Sequence, residues 1–149
     1  MKARPRQTAP TRRVAAVAPR KMVLVVEDDA ALRKVLELRL TLEGFDVTVA
    51  EDGEQGLKAL DVTCPDVVIT DLMMPRVDGF AFCARAREIE VHADLPIVVL
   101  SAHQRDADVD RLLELGDIVF MPKPFDAPTL TATLRELVSS RETAQARAS

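Results

Sequence analysis

Tryptophan and tyrosine are absent from the 149 residues, and only five phenylalanines are present. A core stacked from rings is therefore excluded, and Val, Leu, Ile and Ala must fill it. Cysteine is nearly absent as well. Cys64 and Cys83 are too few for a disulfide framework, and neither stands in a Cys-x-x-Cys or Cys/His metal spacing. Cys83 falls in a helical pattern as a small core residue, Cys64 precedes Pro65 in a loop, and the pair fits a reducing cytoplasm. No apolar run approaches the roughly 20 residues that cross a bilayer, and no apolar stretch with a cleavage site marks a secretory leader. No membrane partner is expected.

Acidic charge is missing from residues 1–20, where Lys2, Arg4, Arg6, Arg12, Arg13 and Arg20 stand among Pro5, Pro10 and Pro19. The remainder is thus more acidic than the net charge of −4 conveys. Such an arm cannot bury enough apolar surface to fold alone, and is expected to be disordered. A solvated tail is the plainer reading of its charge than a nucleic-acid arm, so nucleic acid is not expected as a partner.

What is present, at 48% apolar and 30% charged residues, is the composition of one globular domain. From residue 21 the pattern alternates strand and helix. The strands are predicted at 22–26, 46–50, 67–70, 97–101 and 118–121. Four are nearly continuous apolar runs, as for strands covered on both faces, whereas Asp46-Val-Thr-Val-Ala50 alternates like an edge strand.

Leu32, Leu36 and Leu40 mark a first helix after Asp29, stopped by Gly44. Asp52 and Gln55 have capping-box spacing for a second, which Gly53 and Gly56 weaken and which ends near Leu60. Asp78 caps a third, with Phe82, Ala86 and Ile89 on one face. The fourth has acids in its first turns, apolar contacts from Val109, Leu112 and Leu113, and a stop at Gly116; its narrow apolar face allows cheap displacement. The fifth starts near Asp126-Ala-Pro128 and presents Leu130, Leu134 and Leu137. After Ser139 no core pattern remains. The expected organisation is a disordered tail over 1–20, a domain over 21–140 and a disordered tail over 141–149.

Five βα units with right-handed crossovers predict an α/β, doubly wound, flavodoxin-like sandwich: a five-stranded parallel sheet, order 2-1-3-4-5, flanked by five helices. Ligands of such sheets sit outside the carboxyl ends of the strands, where the order reverses. Glu27-Asp28, Asp71, Ser101 and Lys123 fall at those ends. Hard oxygen ligands suit Mg²⁺, an ammonium suits a phosphoryl group, and Asp71 is the candidate nucleophile.

Val25-Val-Glu-Asp28, Asp71-Leu-Met-Met-Pro-Arg-Val-Asp-Gly79, Ser101-Ala102 and Lys123-Pro-Phe125, in this order, resemble the receiver domain of bacterial two-component response regulators, the CheY-like superfamily. The resemblance covers residues 21–140. It implies a phosphoprotein in which Asp71 accepts phosphate from a histidine kinase or histidine phosphotransfer protein. It further implies that Glu27, Asp28, Asp71 and the backbone carbonyl of Met73 hold Mg²⁺ or Mn²⁺, that Ser101 and Lys123 contact the phosphoryl oxygens, and that Ser101 and Phe120 are the switch pair. The family's Lys-Pro bond is usually cis, which the resemblance implies for Lys123-Pro124. Each residue alone has a plainer reading: Asp71 as a cap, Ser101 as a strand-end hydroxyl, Lys123 as a surface charge, Phe120 as a core ring, Asp29 as a cap or solvated acid.

Three departures stand out. Phe replaces the commoner Tyr at 120; Met73 and His103 occupy positions that border the attacking water; Asp117-Ile118-Val119 is more apolar than usual, for a partner or for strand burial. His92 lies in a polar loop and is not expected to act as ligand or base. The expectation is a single-domain response regulator whose output is a downstream protein target or onward passage of the phosphate, with a weak homodimer as a further association, through the face of helix four, strand five and helix five. The competing functions are a pseudo-receiver that signals without phosphate and a phosphohydrolase of the haloacid dehalogenase type. The latter needs a second Asp where Met73 stands.

Overall fold

The computed structural model describes residues 19–74, 76–102 and 106–148. The strands β1 (Met22–Val26), β2 (Asp46–Ala50), β3 (Val67–Asp71), β4 (Ile97–Ser101) and β5 (Ile118–Pro122) form one sheet of order β2-β1-β3-β4-β5. Every pair is parallel. Between and after them run α1 (Ala30–Leu42), α2 (Gly53–Thr63), α3 (Gly79–Glu88), α4 (Asp106–Leu113) and α5 (Ala127–Ala148), with a 3₁₀ turn at Glu90–His92.

Side chains alternate across each strand, so the sheet sends two sets of residues to its two faces. Leu24, Val26, Val68, Ile97 and Val99 pack with Leu60 of α2, Phe82 and Cys83 of α3 and Leu112 of α4. Val23, Val25, Val67, Ile69, Val98 and Leu100 pack with Leu36 and Leu40 of α1 and Leu130 and Leu134 of α5. The result is a three-layer sandwich with β1 and β3, the strands of the reversal point, at its centre. Asp46–Ala50 is an edge strand, as its alternation predicts.

Local chemistry explains the boundaries. Asp29, Asp52 and Asp78 are N-caps whose carboxylates accept from backbone N–H groups of the first turns of α1, α2 and α3. Gly44 and Gly116 follow helices with φ of 101°, a conformation that costs an L residue a Cβ clash. α2 continues to Thr63, past the predicted end at Leu60.

Other expectations are corrected. Leu113 points outward, 49% exposed, so Leu112 alone of that pair reaches the core. His92 is buried, in the 3₁₀ turn rather than a polar loop. Ile118 is buried and Val119 packs on the core, so their apolarity serves the strand and not a surface. The segment 141–149, expected to be disordered, is helical through Ala148, because Arg141 donates to the Pro65 carbonyl at 3.4 Å and to Asp94 Oδ1 at 3.3 Å, while Lys21 pairs with Glu142. The arm over residues 1–18 and His103 lie outside the described residues.

Candidate phosphoacceptor site

At the carboxyl ends of β1 and β3 the chain leaves the sheet in opposite directions, and the side chains at those two ends converge. Glu27 extends β1 by one rung, its N–H donating to Ala50 O at 3.0 Å. Its backbone carbonyl accepts from Arg33 Nη1 of α1 at 2.8 Å, and its side-chain Oε2 accepts from the Asp29 N–H at 3.1 Å. Asp71 ends β3, held by Leu72 N–H bonding to Leu100 O at 3.0 Å. One carboxylate oxygen each from Glu27, Asp28 and Asp71 fall within 4.8 Å of one another.

Lys123 reaches back over this acidic group from the end of β5. Its N–H donates to the Ser101 carbonyl at 2.8 Å, and its Nζ stands 3.2 Å from Asp71 Oδ1 and 3.5 Å from Glu27 Oε1. The Lys123-Pro124 bond is cis. Ser101 is fully buried at the end of β4. Asp28 is exposed, whereas Glu27 is 1% and Asp71 8% exposed. Phe120 is half-buried against the core on the α2–α4 side of the sheet, and the side chain of Met73 is exposed.

Burial penalises the charged form of both enclosed acids. It pushes Glu27 up to about 7, with the Asp71 charge adding to the rise and the Asp29 N–H and Lys123 opposing it. Asp71 is raised by the same desolvation, opposed chiefly by Lys123. Glu27 Oε1 has no hydrogen-bond partner among the described residues although it is buried. Three clustered carboxylates, one with a buried oxygen that accepts no hydrogen bond, face a single ammonium among the described residues.

A family model described as the response regulator receiver domain matches residues 23–135. The chain belongs to this family.

Among curated relatives, this receiver is 42% identical over 116 residues to a probable transcriptional regulator, ycf27, of Guillardia theta, covering 78% of this chain and 44% of that protein. It is 40% identical over 120 residues to the transcriptional regulatory protein AfsQ1 of Streptomyces coelicolor, covering 80% and 52%. The receiver thus spans about half the length of the curated relatives it matches. Among solved structures, the chemotaxis protein CheY4 of Vibrio cholerae aligns with a TM-score of 0.76 at 28% identity, over 80% of this chain and 99% of that one.

Sequence reasoning brought Glu27, Asp28, Asp71 and Lys123 to one place and put Ser101 on the adjoining strand end. Arg33 it missed, since a basic residue one turn into a helix gives no sign that it will bond a carbonyl behind it. It also missed what Gly79 and Gly53 do. A Cβ on Gly79 would meet Asp71 O at 2.2 Å, and one on Gly53 would meet Val77 O at 2.4 Å. Both glycines let helix starts close on the end of β3 and the loop that follows it.

Proposed function

We propose that Asp71 accepts a phosphoryl group from a phosphohistidine of a sensor kinase or phosphotransfer protein. A carboxylate oxygen of Asp71 attacks phosphorus, the P–N bond breaks, and its electron pair stays on the imidazole nitrogen. The observation that carries this reading is the convergence of Lys123 Nζ, at 3.2 Å from Asp71 Oδ1, with a three-carboxylate cluster. Lys123 pairs with the phosphoryl oxygens, and the Ser101 hydroxyl donates to one of them.

The donor set is all oxygen, and a buried carboxylate oxygen accepts no hydrogen bond, so the residues fit Mg²⁺ or Mn²⁺. Glu27, Asp28, Asp71 and the backbone carbonyl of Met73 would hold it. When bound, a divalent cation offsets the anionic charge that otherwise repels a phosphodonor.

Signal output follows from packing. Ser101 is drawn toward the phosphoryl group, the Phe120 ring moves into the space released, and the α4-β5-α5 surface changes shape. Without a hydroxyl on the ring, contact area carries the change. The target is a downstream protein, with a weak homodimer through the same surface as a further association, in a reducing cytoplasm. This makes the chain a signalling module that assists its own phosphorylation and dephosphorylation, not an enzyme with an external substrate.

The test is to add Mg²⁺ with beryllofluoride, or with a small phosphodonor, and compare amide spectra with those of Asp71→Ala. Shifts at Ser101, Phe120 and α4 that vanish in the variant are expected. Identical responses in both proteins would favour an interaction module independent of phosphate.

A further inference from the structure

Of the described side chains of α4, Leu112 alone is buried. Its neighbour Leu113 is 49% exposed, and α3 adds contacts at two places two helical turns apart. At the C-terminal end of α3, Arg87 Nε donates to Leu115 O at 2.6 Å, Nη2 to Asp117 O at 3.0 Å and Nη1 to His92 O at 3.1 Å. At the N-terminal end, the guanidinium carbon of Arg111 lies 4.0 Å from the centre of the Phe80 ring. That stack closes a cleft lined by Leu72, Met73, Asp78, Phe80 and Arg111. Leu72 and Met73 directly follow the acceptor Asp71.

We infer that Arg111 and Phe80 form a releasable clasp that holds α4 against α3 in the unphosphorylated arrangement, with Arg87 as the fixed pivot. The two contacts differ in kind. Arg87 makes two hydrogen bonds to backbone carbonyls between α4 and β5 and a third to the 3₁₀ turn at His92, and such charge-assisted bonds are costly to abandon once partly desolvated. Arg111 is exposed, and a cation over a ring at an exposed position is a weak contact that water replaces cheaply. Displacement of α4 therefore opens first at the Phe80 end and turns about the Arg87 end. Ser101 ends the strand that leads into α4, so movement of that strand end toward a phosphoryl group works against the clasp.

The proposal rests on the phosphoacceptor reading only for its second measurement. In the first, amide exchange of residues 109–113 is followed in the full, unphosphorylated chain. Arg111→Gln and Phe80→Leu should each speed exchange there about two- to fivefold, the range set by an exposed cation–ring contact. The double variant should add nothing beyond the larger single effect. Unchanged exchange, or fully additive effects, would overturn the clasp. In the second, beryllofluoride with Mg²⁺ should bind both single variants more tightly than wild type by the same factor, as linkage requires. Equal affinities would overturn the clasp as part of the switch. A wild-type chain that binds no beryllofluoride would sink the phosphoacceptor reading instead, and exchange alone would then judge the clasp.

Discussion

The bare α-carbon of Gly79 rests on the backbone of Asp71. A methyl group there would come to 2.2 Å from the Asp71 carbonyl oxygen and 2.7 Å from Leu72 Cα, both backbone atoms that cannot swing aside. Gly79→Ala is therefore expected to destabilise the fold by about 1–3 kcal/mol, the usual penalty of overpacking, and to slow phosphorylation of Asp71 by moving it. Urea melts and a phosphotransfer time course check both. Wild-type values in each would refute the tight contact.

Glu27 is enclosed and only distantly paired with Lys123, so its charge is a burden to the cation-free fold. Glu27→Gln keeps the shape and an acceptor for the Asp29 N–H while removing that charge. With chelator present, the variant should gain on the order of 1 kcal/mol in urea unfolding. It should also lose at least about tenfold in Mg²⁺ affinity. A variant that is both less stable and unaltered in cation affinity would place Glu27 outside the ligand set.

Asp52 accepts from the Gln55 N–H at 2.8 Å and from Arg76 Nη2 at 2.8 Å, and these bonds hold its carboxyl below the ordinary 3.8. A lowered acid contributes stability that is complete above the unfolded value and disappears as pH falls through the folded one. The denaturation midpoint of the wild type should thus drop on acidification below about pH 4, and Asp52→Asn should flatten part of that drop. At neutral pH, Asp52→Ala should cost about 1–2 kcal/mol through the lost cap. An acid limb unchanged by Asp52→Asn would assign the drop to other carboxylates.

The two thiols should differ sharply. Cys64 is exposed at the end of α2, whereas Cys83 is fully buried and its thiol is pushed up to about 12, chiefly by desolvation. Thiol titration of the native chain should count one reactive group, rising to two in denaturant. Two in native buffer would mean that α3 opens readily.

The order of the sheet and the convergence of the acids were legible because both follow from short-range patterns. Apolar runs of three to five residues name four of the strands and alternation names β2, and the polar residue ending each apolar run must fall at the same edge of a parallel sheet. What stayed illegible depends on close contacts between distant segments. Gly53 and Gly56 read as weak helix formers, yet their missing side chains make room for Val77 and for Val26 with Phe82. Propensity is local, whereas the space they leave belongs to other elements. Leu113 and the last turns of α5 failed for a related reason. A narrow stripe does not say which of two neighbouring leucines will face inward, and a polar segment gives no periodic sign that a guanidinium will find a carbonyl across the sheet. The burial of Glu27 was equally hidden, since an acid at a strand end reads as solvated until the layers close over it.

Arg141 lies at the pole of the sheet remote from Asp71, where it ties the last helix to the entrances of β3 and β4 through Pro65 and Asp94. A polypeptide trimmed at residue 140, close to where family resemblance fades, would keep its chemistry but forfeit this buckle. Fraying would then begin at the foot of the sandwich, leaving the functional rim the last part to loosen.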